Sequence, residues 1–372
     1  MDWDVDQIAE LCLDIQQIPA PTFAEQERAE FVAAHLRRSG LTEVQVDDTP
    51  NVYARVPGTE GEAGLMVSAH LDTVFPEGTD LSNRRDGSRL FGPGIGDNSM
   101  GLAGLLTLAQ KLATSEERPA CDVWFVANAG EEGLGDLKGM RRALDHLGTQ
   151  VKGCIVLEGI TGAPWRLTHR GLGVRRYRID VRAPGGHSWG SFGAPSAVHS
   201  LVRMASLITR WKVPTHPRTT FNIGVIEGGT SVNTIAGHAS LLLDLRSEDA
   251  GELAKLITRA EDLVAAANGM SDAEFTATVV GDRPSGDIPA DHPLVCAARQ
   301  ILEDVGVPSR DVHYEIGSTD ANVPLSRGIP AVTLCLTQGH NSHSVSEWLS
   351  LDPLPTGMTL AWRLMHWATS NL

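Results

Sequence analysis

The run Val123-Trp124-Phe125-Val126-Ala127-Asn128-Ala129-Gly130 ends in two adjacent glutamates, Glu131 and Glu132. So apolar a stretch reads as a buried strand. A buried strand ends where the chain meets a cleft, and here it delivers two carboxylates side by side. Ionised together they repel, and a metal ion is the cation best suited to hold them. The pair also offers one carboxylate to bind a metal and one to move a proton.

The same style of element recurs on either side. Asp6 to Gln17 carries apolar residues at Ile8, Leu11, Cys12 and Ile15, a helical stripe. Glu25 to Ser39 predicts a second helix, stopped by Gly40. Short strands are expected at Val44–Val46 and Val52–Val56, and a buried strand from Gly64 to Ala69, ending at His70. Helices are expected at Met100–Leu112 and Leu137–Leu147, with a further buried strand at Cys154–Leu157. Strands and helices alternate, which predicts an α/β layered domain.

From Val174 the pattern changes. Val174 to Val181 alternates apolar and charged residues, the mark of a strand with one wet face. A helix (Ser196–Thr209), two strands (Thr220–Ile226 and Ala239–Leu245), a helix (Ala250–Ala267) and a strand (Glu274–Val280) follow. This β-α-β-β-α-β order is ferredoxin-like. Gly281–Gly286 reads as a linker. The α/β style then resumes with a helix at Pro293–Asp304, a strand at Ala331–Leu336 and a last helix from about Asp352. A chain of 372 residues is long for one core. The expectation is a discontinuous α/β domain, residues 1–172 and 282–372, with a smaller domain inserted at 173–281.

Composition narrows the partners. A net charge of −15 argues against nucleic acid and against an anionic membrane surface. No apolar run approaches the roughly 18–20 residues that span a bilayer. The acidic start, Met1-Asp2-Trp3-Asp4-Val5-Asp6, lacks the features of a signal peptide. The five cysteines are scattered without a CxxC, as reduced core residues are. The expected location is cytoplasmic.

Ligands of open α/β sheets bind beyond the carboxyl ends of the strands. Those ends carry His70-Leu71-Asp72, Glu131-Glu132, Glu158 and His343, and the glycine-rich stretch Gly92–Gly96 delivers Asp97 to a helix start. Singly, each has a plain reading: a surface pair, a helix cap, a loop histidine. Two histidines and four carboxylates at strand ends on one expected face, with Asp97 beside them, support a two-metal site instead. Imidazole and carboxylate suit zinc. An aspartate such as Asp97 can bridge two ions, and Asp72 can fix the tautomer of His70. A glutamate left over can act as general base on a metal-activated water.

At this point the chain resembles the M20 metallopeptidases, the group with carboxypeptidase G2-like, acetylornithine deacetylase-like, succinyl-diaminopimelate desuccinylase-like and peptidase T-like enzymes. The resemblance rests on Ser68–Val74, Gly94–Asn98, Asn128–Gly133, Gly186-His187-Ser188, Ser231–Ile235, Asp244-Leu245-Arg246, Gly317–Ala321 and His343-Ser344, in this order. It implies a zinc-exopeptidase-type α/β catalytic domain with the ferredoxin-like insert as lid and dimer interface. It implies two Zn2+, with Co2+ or Mn2+ as alternatives. One ion would be held by His70, Asp97 and Glu158, the other by Asp97, Glu132 and His343. Glu131 would be the general base and Asp72 the partner of His70. His187 would polarise the scissile carbonyl, and Asn233 and Arg246 would contact substrate. The substrate implied is a short peptide or an N-acyl amino acid, and the assembly a homodimer through the lid.

The chain also departs from the family pattern. Where the family often has a lysine near the bridging aspartate, this chain reads Asp97-Asn98-Ser99-Met100. His340 competes with His343 as a ligand, and the Asn341-x-His343-Ser344 context favours His343. By sequence alone Arg246 is equally an ion-pair partner of Asp244. Trp189 and Phe192 are expected at the lid edge.

Overall fold

Asp4 shows how local chemistry starts an element. Its carboxylate accepts from the Gln7 N–H at 3.0 Å and caps α1 (Val5–Gln16), satisfying a donor that a helix start leaves open. Ile8, Cys12 and Ile15 on that helix are buried, each such side chain worth about 1.5–3 kcal/mol. The computed structural model of the protein describes residues 2–60, 64–161, 165–270 and 272–372.

After α1 come α2 (Gln26–Arg38), β1 (Val44–Val46), β2 (Val52–Val56), β3 (Gly64–His70) and the hairpin β4 (Arg84–Asp86) and β5 (Arg89–Phe91). Then follow α3 (Gly101–Thr114), β6 (Asp122–Asn128), α4 (Lys138–Leu147), β7 (Val151–Thr161) and β8 (Arg166–Gly171). The next segment holds β9 (Gly173–Arg182), β10 (Gly186–His187), α5 (Ala197–Ile208), β11 (Thr219–Gly228), β12 (Thr234–Ile235), β13 (His238–Ser247), α6 (Ala250–Met270) and β14 (Glu274–Arg283). The chain closes with β15 (Gly286–Asp287), α7 (Pro293–Asp304), β16 (His313–Gly317), α8 (Asn322–Ser326), β17 (Ala331–His340), β18 (Trp348–Ser350) and α9 (Leu354–Asn371).

Two compact units result, Met1–Gly171 with Gly286–Leu372, and Leu172–Ser285. In the larger unit the strands run in the order β1-β2-β6-β3-β7-β17-β18-β5-β4, with β8 against β17 and carrying β15 and β16. Its centre, β6-β3-β7-β17, is parallel, so those strands all point their carboxyl ends the same way. β3 is buried along its whole length. In the smaller unit β11-β13-β9-β14 form an antiparallel sheet and β10 pairs with β12. Met204, Leu201, Leu241, Leu243 and Phe275 belong to its own core.

Three expectations need correction. β7 does not end at Leu157 but runs to Thr161, so Glu158 lies within the strand. β17 continues to His340, because pairing with β18 extends it past its apolar half. The expected linker Gly281–Gly286 is half strand: β14 continues through Arg283 by pairing with β9.

Candidate metal centre

The parallel centre of the sheet places the ligands. His70 closes β3 and pairs in register with Asn128 of β6, three residues before Glu131. Ser68 pairs with Val156 of β7, so both strands reach His70 and Glu158 two residues later. Asp97 comes from the irregular turn Ile95–Met100, where its φ of −110° and ψ of 88° leave the helical region. That turn lies against β7, where a Cβ on Gly159 would collide with the Gly96 carbonyl oxygen. His343 follows β17 with a left-handed φ of 66°, a conformation that costs a non-glycine residue roughly 1–2 kcal/mol.

Asp97 divides its two oxygens. Oδ1 lies 3.1 Å from His70 Nε2, and Oδ2 lies 3.1 Å from His343 Nε2. His70 Nε2 is also 3.6 Å from Glu158 Oε2, and His343 Nε2 is 3.1 Å from Glu132 Oε1. Two groups of candidate ligands share Asp97: His70–Asp97–Glu158 and Asp97–Glu132–His343, each with its atoms within 4.8 Å of one another. Glu131 joins neither, but forms a third group with His70 and Glu132. Ligand atoms about 2.0–2.2 Å from a tetrahedral ion lie about 3.4 Å apart. The spacings of 3.1 and 3.6 Å fit that geometry, and the donor set of imidazole and carboxylate suits a divalent ion.

The electrostatics call for positive charge. Burial opposes the charge of Asp97, yet His343 and His70 outweigh it and hold the carboxyl below the usual range. Hydrogen bonds to Asp97 and Glu132 push His343 up to about 10. Burial works against a proton on His70, but Glu158, Asp72 and Asp97 raise it well above the ordinary value. Glu158 itself is raised by burial and by the neighbouring Asp97 and Glu132, with His70 opposing. The surrounding carboxylates thus favour positive charge at both histidines, and metal binding to such imidazoles releases their protons.

Asp72 does not hold His70 mainly through its carboxylate. His70 Nδ1 is 3.0 Å from the Asp72 carbonyl oxygen and 3.5 Å from Oδ1. The carboxylate instead accepts from the Glu131 and Glu132 N–H groups, each at 2.9 Å, and from the Thr22 hydroxyl at 2.9 Å. Glu25 adds the next donor in line, the Gly130 N–H at 3.0 Å. Two buried carboxylates therefore fix the backbone of the Glu131-Glu132 turn.

Sequence reading missed three further buried acids. Glu25 reads as a helix start, and nothing in the sequence shows its side chain turned inward. Asp320 lies in the quoted Gly317–Ala321 stretch. It is buried, accepts from Asn128 Nδ2 at 2.7 Å, and leaves its Oδ1 without a partner. Burial, with Glu158 and Asp72 adding to it, pushes Asp320 up to about 7. Glu347 is buried and accepts backbone donors from the Asp97 loop. Burial and the Asp97 charge push it up to about 8 against those donors. The available signal was a single glutamate in a serine-rich loop, four residues after His343.

In the smaller unit, β10 and β12 bring His187 beside Thr234, and Ser188 N donates to the Asn233 carbonyl at 3.0 Å. His187 Nδ1 accepts from the Trp189 and Gly190 N–H groups, both at 3.2 Å. An accepting Nδ1 leaves Nε2 as the ring nitrogen that donates. Arg246 lies on β13, not in this two-stranded sheet, and its Nε donates to Asp244 at 2.7 Å. Asp244 also accepts from Arg176 at 3.0 Å. Trp189 and Phe192 are exposed. His340 packs at a tilt of 42° against Trp348, ring centroids 5.3 Å apart.

Comparison with known proteins sets this centre in context. The model of peptidase family M20/M25/M40 matches residues 66–366. A succinyl-diaminopimelate desuccinylase of Corynebacterium glutamicum is 26% identical, covering 91% of this chain and 90% of that protein. A tripeptidase from Staphylococcus aureus superposes with a TM-score of 0.81 at 19% identity, covering 99% of both chains. A dinuclear metal-binding peptidase of the M20 family from Bacillus subtilis gives a TM-score of 0.72 at 17% identity, with 99% of both chains covered. At these identities the two structures speak to the fold alone. No helix among the described residues is long and apolar enough to cross a membrane.

Proposed function

This chain belongs to peptidase family M20/M25/M40 and is a hydrolase, and from that premise we propose that it cleaves the amide bond of a short peptide or an N-acyl amino acid at a dinuclear zinc centre. The observation that carries the reading is the division of Asp97, one oxygen toward His70 and the other toward His343. His70, Asp97 and Glu158 would hold one ion, and Asp97, Glu132 and His343 would hold the other. When bound, the ions polarise the amide carbonyl and make water acidic enough to yield a nucleophile near neutral pH.

Glu131 takes the proton from the attacking water and passes it to the leaving amine. Its backbone is held by Asp72 at 2.9 Å, so its side chain starts from a fixed point. Glu132 shares that carboxylate and turns to His343 at 3.1 Å. This divides the labour of the adjacent pair. His187, with its proton on Nε2, stabilises the carbonyl oxygen as charge develops there. Asn233, whose carbonyl accepts from the Ser188 N–H, lies beside it and contacts substrate. Arg246 contacts the substrate carboxylate through donors not used by Asp244. The smaller unit also pairs two copies of the chain; exposed Val202 and Leu207 on α5, with Val225 and Ile226 on the edge strand β11, are the apolar surface for it.

The test is Glu131→Gln. The variant is expected to keep its metals and to lose at least about 10²-fold in turnover. Near-normal turnover ends the assignment of Glu131 as base. A panel of dipeptides beside N-acetyl and N-succinyl amino acids separates peptidase from deacylase action, and the preferred group is the one with the higher kcat/KM.

A further inference from the structure

One buried acid gathers the loop that carries the shared aspartate. Glu347 Oε2 accepts from the Gly94 N–H at 3.1 Å. Its Oε1 accepts from the Gly96 and Asp97 N–H groups at 2.7 and 2.8 Å. Its main-chain carbonyl takes the Gly92 N–H at 3.0 Å. Backbone donors from four positions of one loop therefore converge on a single residue. From the other side, Asn98 ties the loop to β7: its Nδ2 donates to the Leu157 carbonyl and its Oδ1 accepts from the Gly159 N–H, both at 2.9 Å.

Glu347 also belongs to the loop of the second histidine. It follows His343 by four residues, and its own N–H donates to the Ser344 carbonyl at 3.0 Å. The residue thus joins the Asp97 loop to the His343 loop. Its chemistry is a costly choice for a mere loop clamp. Another buried carboxylate beside the three of the two ligand groups adds repulsion, which a neutral acceptor avoids. A carboxylate, however, offers acceptor positions on both oxygens, and glutamine offers only one oxygen.

We infer that Glu347 is a positioning residue of the metal centre: by collecting the Gly94, Gly96 and Asp97 N–H groups it fixes the Asp97 carboxylate between the two ligand groups, and so sets the affinity for the ion beside His343. The inference rests on Asp97 being the shared ligand. Glu347 belongs to none of the candidate ligand groups. It acts through the backbone of Asp97 and through the loop of His343, the two parts of the exposed ligand group that it joins.

The experiment is metal titration of Glu347→Gln beside wild type, starting from metal-free full-length protein and read by calorimetry and by the visible spectrum of bound Co2+. Glutamine keeps the size but turns an amide NH2 toward one of the loop donors. The variant is expected to bind the first ion like wild type and the second at least about tenfold more weakly, with an altered Co2+ spectrum at the second equivalent. Two ions bound with wild-type affinity and spectrum in the variant overturn the role of Glu347 alone. Uptake of a single ion by wild type overturns the shared-ligand reading and this inference with it. Amide hydrogen exchange on metal-free wild type needs no variant to fold. Slow exchange at Gly94, Gly96 and Asp97 is expected, and exchange at the unprotected rate overturns the inference.

Discussion

The two candidate ligand groups share Asp97, but their histidines differ in depth. On one side the His70 side chain is 1% exposed and closes a strand buried along its whole length. On the other, the His343 side chain is 54% exposed and comes from a loop with a left-handed backbone at Asn341 and His343. A ligand set inside a parallel sheet cannot move without breaking ladder hydrogen bonds. A ligand on a loop can. The geometry therefore predicts one tightly held ion and one exchangeable ion, built around a single bridging carboxylate.

The largest expected effect breaks the buried half. His70→Ala leaves Asp72, Asp97 and Glu158 without their buried counter-charge, and truncating one partner of a buried pair costs about 3–5 kcal/mol. The tighter ion should be lost and the metal-free fold strongly destabilised, as chemical denaturation will read. Next comes Asp72→Asn. Its two oxygens serve two backbone donors and a hydroxyl, and an amide can serve only part of that set. We expect about 1–3 kcal/mol of lost stability, with a fall in kcat because Glu131 and Glu132 lose their common anchor. Steady-state kinetics with unchanged kcat contradicts this.

His343→Ala should be milder for the fold. A half-exposed ion pair is worth about 1 kcal/mol at most, so stability should hold while the second ion is lost. The smallest effect concerns Asp320 in metal-free protein. Its folded value is raised to about 7 from an ordinary 3.8, so the folded state keeps a proton that the unfolded chain releases. The stability from that proton is present below the ordinary value and lost as pH rises to about 7. Asp320→Asn removes the dependence. Its melting temperature relative to wild type should rise by about 2 °C or more between pH 5 and pH 8. A constant difference across that range shows that Asp320 is not protonated in the fold.

The sequence displays the buried half more plainly than the exposed one. Apolar runs such as Leu65–Ala69 and Val123–Ala127 announce their strands, and a ligand at the end of such a run is found by reading to its last residue. His70, Glu131 and Glu132 are of this kind. Glu158 was seen too, but as a strand end, because β7 continues beyond its apolar stretch through pairing with β17 up to Thr161. The short strands β4, β5, β16 and β18 carry little periodicity. β5, β16 and β18 exist through pairing with distant partners, as when β18 lies against β17 and β5, and β4 through the hairpin it makes with β5. The buried acids Glu25, Asp320 and Glu347 escape for a related reason. A carboxylate accepting backbone donors from a distant loop, as Glu25 and Glu347 do, leaves no pattern along the chain, since its partners are the N–H groups that every residue has; Asp320 is met by the amide of Asn128, 192 residues away. Arg246 shows the converse: its two readings were balanced in the sequence, and the fold pairs it with Asp244.

The most direct test is a stepwise Zn2+ titration of metal-free wild type and His343→Ala. The account predicts two equivalents in wild type, unequal in affinity, and one equivalent in the variant with the tighter affinity preserved. A single equivalent in wild type, or loss of the tighter ion in His343→Ala, contradicts it.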